Sequence, residues 1–531
     1  MSKVITAAQA AALIKDGDTV AASGFGLSCW AEEIGIAIKD RFNETGAPRN
    51  LTIMHASAVG NRKEKGMSHL GIEGLIKRWI GGIAIASPQM AKLIEDNKCE
   101  AYNLPQGVIT QLYREIAAKR PGVITKIGLG TFVDPRIEGA KMSACTTEDI
   151  VKVIEFEGEE WLFYKTFPIQ IALIRGTVAD ERGNLTMEKE GLLMEVLPIA
   201  QAVRNSGGIV IAQVESLAKT GTLNPKHVKV PGILIDHIVI AKPENHFQTE
   251  VTQYNPGFSG ELKVPLQSVD PLPLDERKII ARRCAMELQP NTILNLGVGI
   301  PANVATVALE EAVNDQLTLT TEAGSIGGVP GSGGNFGHAY NSEAIIDHHA
   351  QFDFYDGGGI DLSVLGLAQS DEQGNVNVSK FGTRVAGCGG FINISQSAKN
   401  LIFCGSFTAG GLQISVANGQ LNIVQEGKAQ KFIKQVQQIT FSGQYASTTE
   451  QNVLYVTERA VFQLIKGKMT LIEIAPGIDL QRDVLDQMGF KPDISAQLKL
   501  MDTGLFQETW GELKEIIATK EKAKQLEAVE V

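Results

Sequence analysis

The stretches AALIKDGDTVAASGFGL (Ala11–Leu27) and CAMELQPNTILNLGVGI (Cys284–Ile300) decide the fold. Each passes from a helix-like segment into a short strand-like one and ends on a Gly-x-Gly turn. Two further pairs follow in the same order. LTIMHA (Leu51–Ala56) answers LTLTTE (Leu317–Glu322), and IALIRGTVADERGNLTM (Ile171–Met187) answers LSVLGLAQSDEQGNVNV (Leu362–Val378). In the last pair Asp180, Glu181, Gly183 and Asn184 meet Asp371, Glu372, Gly374 and Asn375, all at an offset of 191. A D-x-x-G-N turn suits a hairpin by its own chemistry. The ordered set, more than any single match, therefore marks an internal duplication.

Around these pairs, β-branched runs alternate with helical segments: DTVAAS, GGIVIAQV and IDHIVIA in the first half, TILNLG, IDLSVLG and NLIFCG in the second. Near-continuous apolar strands separated by helices predict an α/β chain with two homologous open, mainly parallel sheets covered by helices. A length of 531 residues also exceeds a single core. The first half carries a longer interval between its second and third matched segments, including Asn103–Arg136. Pro243, Pro256, Pro265, Pro271 and Pro273 suggest an extended linker. The expected division is a domain over 1–245, a linker over 246–276 and a second domain over 277–531. The run Gly504–Val529 reads as an amphipathic helix for packing or subunit contact.

Composition narrows the function. The chain is 44% hydrophobic and 21% charged, as expected of a soluble globular protein. Its net charge of −11 argues against broad binding to nucleic acid or an anionic membrane. The polar N-terminus and the lack of a long apolar run predict neither secretion nor a membrane span, and so a cytoplasmic protein. Cys29, Cys99, Cys145, Cys284, Cys388 and Cys404 form no CxxC pair, which suits reduced thiols rather than a zinc site or disulfide frame. Cys29 and Cys388 lie in glycine-rich turns, as small buried hydrophobes or as neighbours of a site.

The chemistry centres on Glu322, which leaves its strand into a loop holding Gly324, Gly327, Gly328, Gly331, Gly333, Gly334 and Gly337. The first copy has Ala56 at the matching position. A carboxylate at a strand tip, facing backbone without side chains, can meet a large ligand closely. Open α/β sheets bind ligands outside the carboxyl ends of their strands, where Gly24-Phe25-Gly26 and Gly297-Val298-Gly299 also fall.

Two chemical readings compete there. GVGIPA (Gly297–Ala302) with an acid 20 residues on fits a dinucleotide-binding fingerprint, hence a nicotinamide-dependent dehydrogenase. Pro301, the missing third small residue in GFGLSC and the glycine loop after Glu322 weigh against it. The plain structural alternative is a glycine turn for close strand–helix packing. In the other reading Glu322 attacks. With a reference pKa of about 4.3 it is ionised at neutral pH and needs no base. Its natural target is an activated acyl group such as a thioester, given backbone N–H donors for the oxyanion and exclusion of water. AGCGGFINIS (Ala386–Ser395) could supply such donors or simply permit a tight turn. Asp347-His348-His349 invites a metal, but IIDHHAQFDFY reads as a sheet or helix edge, and no metal is expected. There is no HExxH, GxSxG or P-loop motif.

Several motifs together carry a family resemblance. They are GFG at Gly24–Gly26, LPQG at Leu104–Gly107, GLGTFVDPR at Gly128–Arg136, NLGVGIP at Asn295–Pro301, TEAG at Thr321–Gly324 and FDFYDGGGIDL at Phe352–Leu362. GCGGF at Gly387–Phe391, TERAVF at Thr457–Phe462 and LIEIAPGIDL at Leu471–Leu480 complete them. The chain resembles family I CoA-transferases of the fused two-domain acetate/propionate type and, more distantly, succinyl-CoA:3-ketoacid CoA-transferase. The resemblance implies a ping-pong cycle through a γ-glutamyl-CoA thioester on Glu322. It implies Gly390 and Phe391 at the oxyanion and acyl site, Gln106 reaching in from the first domain, and Gly297, Gly299, Gly24 and Gly26 along the CoA path. It further implies a homo-oligomer acting on acyl-CoA and short-chain carboxylates, with CoA a substrate and no cofactor. Ketoacid-specific relatives carry S-E-N-G, whereas this chain has Thr321-Glu322-Ala323-Gly324. That departure favours acetate, propionate or butyrate. An acyl-CoA hydrolase at the same glutamate and a ligand-sensing domain are the alternatives.

Overall fold

Strands β1 (Thr19–Ala22), β2 (Leu51–Ala58), β3 (Ile76–Ile83), β4 (Glu100–Asn103), β5 (Ile171–Arg175), β6 (Ile209–Val214) and β7 (His237–Ile240) form one sheet in a computed structural model, in the order β7-β6-β5-β1-β2-β3-β4. The structure describes residues 3–265 and 271–529. Every neighbouring pair in this sheet is parallel. β5 is buried at each residue and β6 at all but its first, the pattern of strands covered on both faces.

The second half builds its own sheet from β8 (Thr292–Leu296), β9 (Leu317–Thr320), β10 (Leu362–Gly366), β11 (Asn400–Cys404) and β12 (Asn452–Val456). They lie in the order β9-β8-β10-β11-β12, again parallel throughout. β13 (Ala460–Ile465) and β14 (Lys468–Ile474) extend it antiparallel, and β15 (Asp493–Leu500) returns parallel to β14. The segment β7-β6-β5-β1-β2 thus has the same order as β12-β11-β10-β8-β9, so the matched sequence pairs occupy matched strands. The α/β architecture is as the sequence predicts. The halves differ in what is added: β3 and β4 in the first, an antiparallel extension in the second.

Packing does not follow chain order. One compact unit gathers Met1–Val264, Thr321–Asp356 and Ser379–Asn393, and the other gathers Pro265–Thr320, Gly357–Val378 and Ile394–Val531. The stretch expected as a linker, 246–276, is well packed over its first part. Gln248, Thr249 and Phe258 are buried, and a short helix, Pro256–Ser259, starts on an Asn255 cap with proline in its first turn. Phe258 stacks against His338 and Tyr340, with ring centroids 5.4 and 4.3 Å away. Residues 266–270 of that stretch lie outside the described residues. The C-terminal run forms a helix over Leu513–Val529, anchored by buried Leu513 and Ile517 and by Lys520 donating to the Met286 carbonyl. No helix among the described residues is long and apolar enough to cross a membrane.

Candidate active site

Glu322 stands on a tight turn just past β9. The Thr321 N–H donates to the Ser325 carbonyl at 2.9 Å, and the Gly324 N–H to the Thr321 carbonyl at 3.1 Å. The Thr321 hydroxyl donates to Gly337 O at 2.9 Å and accepts from the Ser325 N–H at 3.2 Å. Gly324 sits at φ +109°, and a Cβ there would lie 2.2 Å from the Ile346 carbonyl oxygen, so the turn requires glycine. Ala323 is buried, and Glu322 is left half-buried at the tip. The protein packed around its carboxylate pushes the pKa from about 4.5 up to about 7. The reference-value expectation of full ionisation at neutral pH is therefore corrected: burial leaves this acid about half-protonated near pH 7.

The glycine loops meet in the same unit. Gly337, at φ +91°, has no room for a Cβ because the Phe25 ring would lie 2.5 Å away. Phe25, between Gly24 and Gly26, faces Phe336 with ring centroids 6.2 Å apart. Gly26 donates its N–H to the Ala58 carbonyl at 2.6 Å, and its missing Cβ spares the Glu250 side chain. Here Gly26 serves close packing. Gly297 and Gly299 lie on the turn after β8 in the second unit. Gly297 N–H donates to Val364 O at 2.9 Å, whereas Gly299, at φ +86°, borders open space beside exposed Val298.

Gln106 opens helix α1 (Gln106–Ala117) and is fully buried. Its backbone N–H donates to Gly389 O at 2.9 Å, and the Gly389 N–H in turn donates to Gly82 O at 2.8 Å. Asn103 ties the same turn down, accepting from the Cys388 N–H at 2.9 Å and donating to Gly81 O and Gly82 O. Gly390 is buried in this turn, and Phe391 is half-buried at the start of the helix Phe391–Ser397. Gln106 and the second glycine cluster are thus brought together. Asn393 accepts from the Gly107 N–H at 3.1 Å and donates to Asp356 at 2.9 Å; burial pushes that carboxyl up to about 7.

Two residues of this cluster were not identified as functional by sequence reasoning. His348 begins helix α2 (His348–Asp356), is fully buried, and contacts Gln106 Nε2 through its Nε2 at 2.8 Å. Its Nδ1 meets Glu195 Oε2 at 2.6 Å. The Asp347-His348-His349 run gave a signal, though the sequence reading set it aside as a sheet or helix edge; Asp347 pairs with Lys229 at 2.6 Å. Glu195 gave none. Cys29 and Cys388 are buried, and burial pushes both thiols up, which makes them unreactive.

This arrangement, a half-buried acid on a glycine-dependent turn in the same compact unit as a fixed carboxamide, fits acyl transfer at a carboxylate. The chain belongs to the coenzyme A transferase family, whose pattern matches residues 4–241. It is 55% identical over 523 residues to caffeate CoA-transferase of Acetobacterium woodii, covering 97% of this chain and 100% of that one. It is 45% identical over 504 residues to acetate CoA-transferase YdiF of Escherichia coli O157:H7, covering 95% of each. The crystal structure of the YdiF apoenzyme superimposes with a TM-score of 0.90 at 44% identity, covering 96% of this chain and 97% of that one. A thioester complex of YdiF with CoA gives 0.89 with the same identity and coverage.

Proposed function

We propose that this enzyme exchanges CoA between acyl-CoA thioesters and free monocarboxylates through a γ-glutamyl-CoA thioester on Glu322. The observation that carries the reading is the Glu322 carboxylate itself, held on a glycine-dependent turn and desolvated enough to raise its pKa to about 7. A more basic, partly dehydrated carboxylate is a stronger nucleophile, and the same shielding protects an acylated intermediate from water. The Glu322 oxygen attacks the thioester carbonyl, the C–S bond breaks and CoA leaves as thiolate. The thiolate then attacks the glutamyl carbonyl of the mixed anhydride and expels the donor acid as carboxylate. An acceptor carboxylate runs the same steps in reverse and restores Glu322. The thioester is conserved, so the cycle calls for no ATP and no metal. The Gly390 backbone N–H and the second side-chain N–H of Gln106 suit the developing oxyanion, where one donor is typically worth about 10²–10³ in rate. The existence of a related protein as a thioester complex with CoA supports this reading. All six cysteines are free thiols, in keeping with a reducing compartment such as the cytoplasm.

Acetate, propionate and butyrate are the favoured acids, on the Thr321–Gly324 motif. Caffeate is the second reading, favoured by 55% identity to a relative bearing that name. Initial rates for acetyl-CoA against all four acids, and for caffeoyl-CoA against acetate, separate the two. Peptide mass spectrometry after mixing with each donor tests the mechanism: CoA mass on the Glu322 peptide is expected, and its absence with both donors overturns it. Release of free CoA without an acceptor acid, at the rate of transfer, would instead indicate a hydrolase.

A further inference from the structure

We infer that Glu195 and His348 are positioning residues for the Gln106 carboxamide, a role that rests on the Glu322 reading above. Glu195 as a carboxylate only accepts, so its 2.6 Å contact assigns the imidazole N–H to Nδ1 of His348. Gln106 Nε2 carries only donor hydrogens, so its 2.8 Å contact sets an amide N–H against an accepting lone pair on His348 Nε2. The ring thereby dictates which end of the carboxamide is nitrogen. The amide keeps a second N–H, and its Oε1 is buried with no hydrogen-bond partner among the described residues. A Cβ on Gly389 would lie 3.4 Å from that oxygen, so the free end of the amide borders the glycine turn. Without the imidazole, nothing in this contact set would distinguish the amide from its rotated form, with oxygen and nitrogen exchanged.

The backbone behind the pair is itself constrained. Met194, next to Glu195, sits at φ +49°, a conformation few non-glycine residues adopt, and its carbonyl accepts the His348 N–H at 3.2 Å. All three side chains are fully buried. A carboxylate, an imidazole and an amide in series, ending on a residue tied to Gly389, form a device for holding one polar end in place. Outer partners of this kind fix the tautomer and orientation of the group they support.

The test is a double-mutant cycle with acetyl-CoA and caffeoyl-CoA as donors, reading kcat and KM separately. Q106A and H348F should each lower kcat by roughly 10²-fold with little change in the KM for CoA donor, and Q106A/H348F should be no slower than Q106A alone. E195Q, which keeps the size of the side chain, should lower kcat less and should likewise add nothing in the Q106A background. This second pair carries the test if H348F does not fold. Additive losses in both cycles, or a full-rate E195Q, would overturn the inference. Slow but complete addition of CoA mass to Glu322 in the variants supports it. If even the wild-type enzyme gains no CoA mass from either donor, the underlying Glu322 reading fails rather than this one.

Discussion

The matched strands β2 and β9 begin with the same residue pair, Leu-Thr, and end quite differently. β2 runs on through Ala56 to Ala58, pairing with β3 as far as Ile83, and Ala56 is fully buried. β9 stops at Thr320, and the next residues spend their hydrogen bonds on the Thr321–Ser325 turn. Position 322 is therefore lifted out of a ladder that swallows position 56. The contrast teaches that the chemistry depends on where the ladder ends as much as on which side chain is present.

The largest expected effect comes from removing the acid. E322A should abolish transfer, by on the order of 10⁴-fold or more in kcat, and E322D should lose about 10²-fold by drawing the carboxylate back roughly 1 Å. Initial rates with CoA donors check both. The reciprocal change, A56E, should give the first half no activity and cost about 3–5 kcal/mol, because it buries an unpaired charge beside tightly packed backbone. Urea denaturation measures that cost; a stable A56E protein would break the comparison.

Smaller effects sharpen it. With a Glu322 pKa near 7, the reactive carboxylate should grow about tenfold between pH 6 and pH 8, so kcat/KM should climb across that interval. A flat profile there would mean the acid is ionised well below neutrality. Stability should show the opposite sign. A carboxyl whose pKa rises on folding leaves stability intact below about pH 4.5 and drains it as pH rises through 7. E322Q removes that penalty and should be more stable than the parent by about 1–3 kcal/mol at pH 8, discounted for partial exposure, and by little at pH 4.5. Thermal melts at the two pH values decide it.

Much of this was legible in the chain. The duplicated segments predict the shared strand order, and the lone Glu322 against Ala56 marks the unusual position. The Glu195–His348 pair was not, because its members lie 153 residues apart and neither carries a local spacing that forecasts the other. The raised pKa of Glu322 was missed for a related reason: a reference value describes a solvated glutamate, and only the packing reveals desolvation. Nor could the division into compact units be read from the repeat, since it depends on long-range contacts made by 321–356 and 379–393.

That division has a consequence for biosynthesis. When the ribosome has released residue 264, the first unit still lacks the segments Thr321–Asp356 and Ser379–Asn393. At about 5–20 residues per second, their delivery is delayed by on the order of 10 s. Until then the nascent first unit lacks the side chains that later fill it, and apolar surface waits uncovered. A long-lived, unfinished intermediate of this kind is a natural client for chaperones that bind at the exit tunnel.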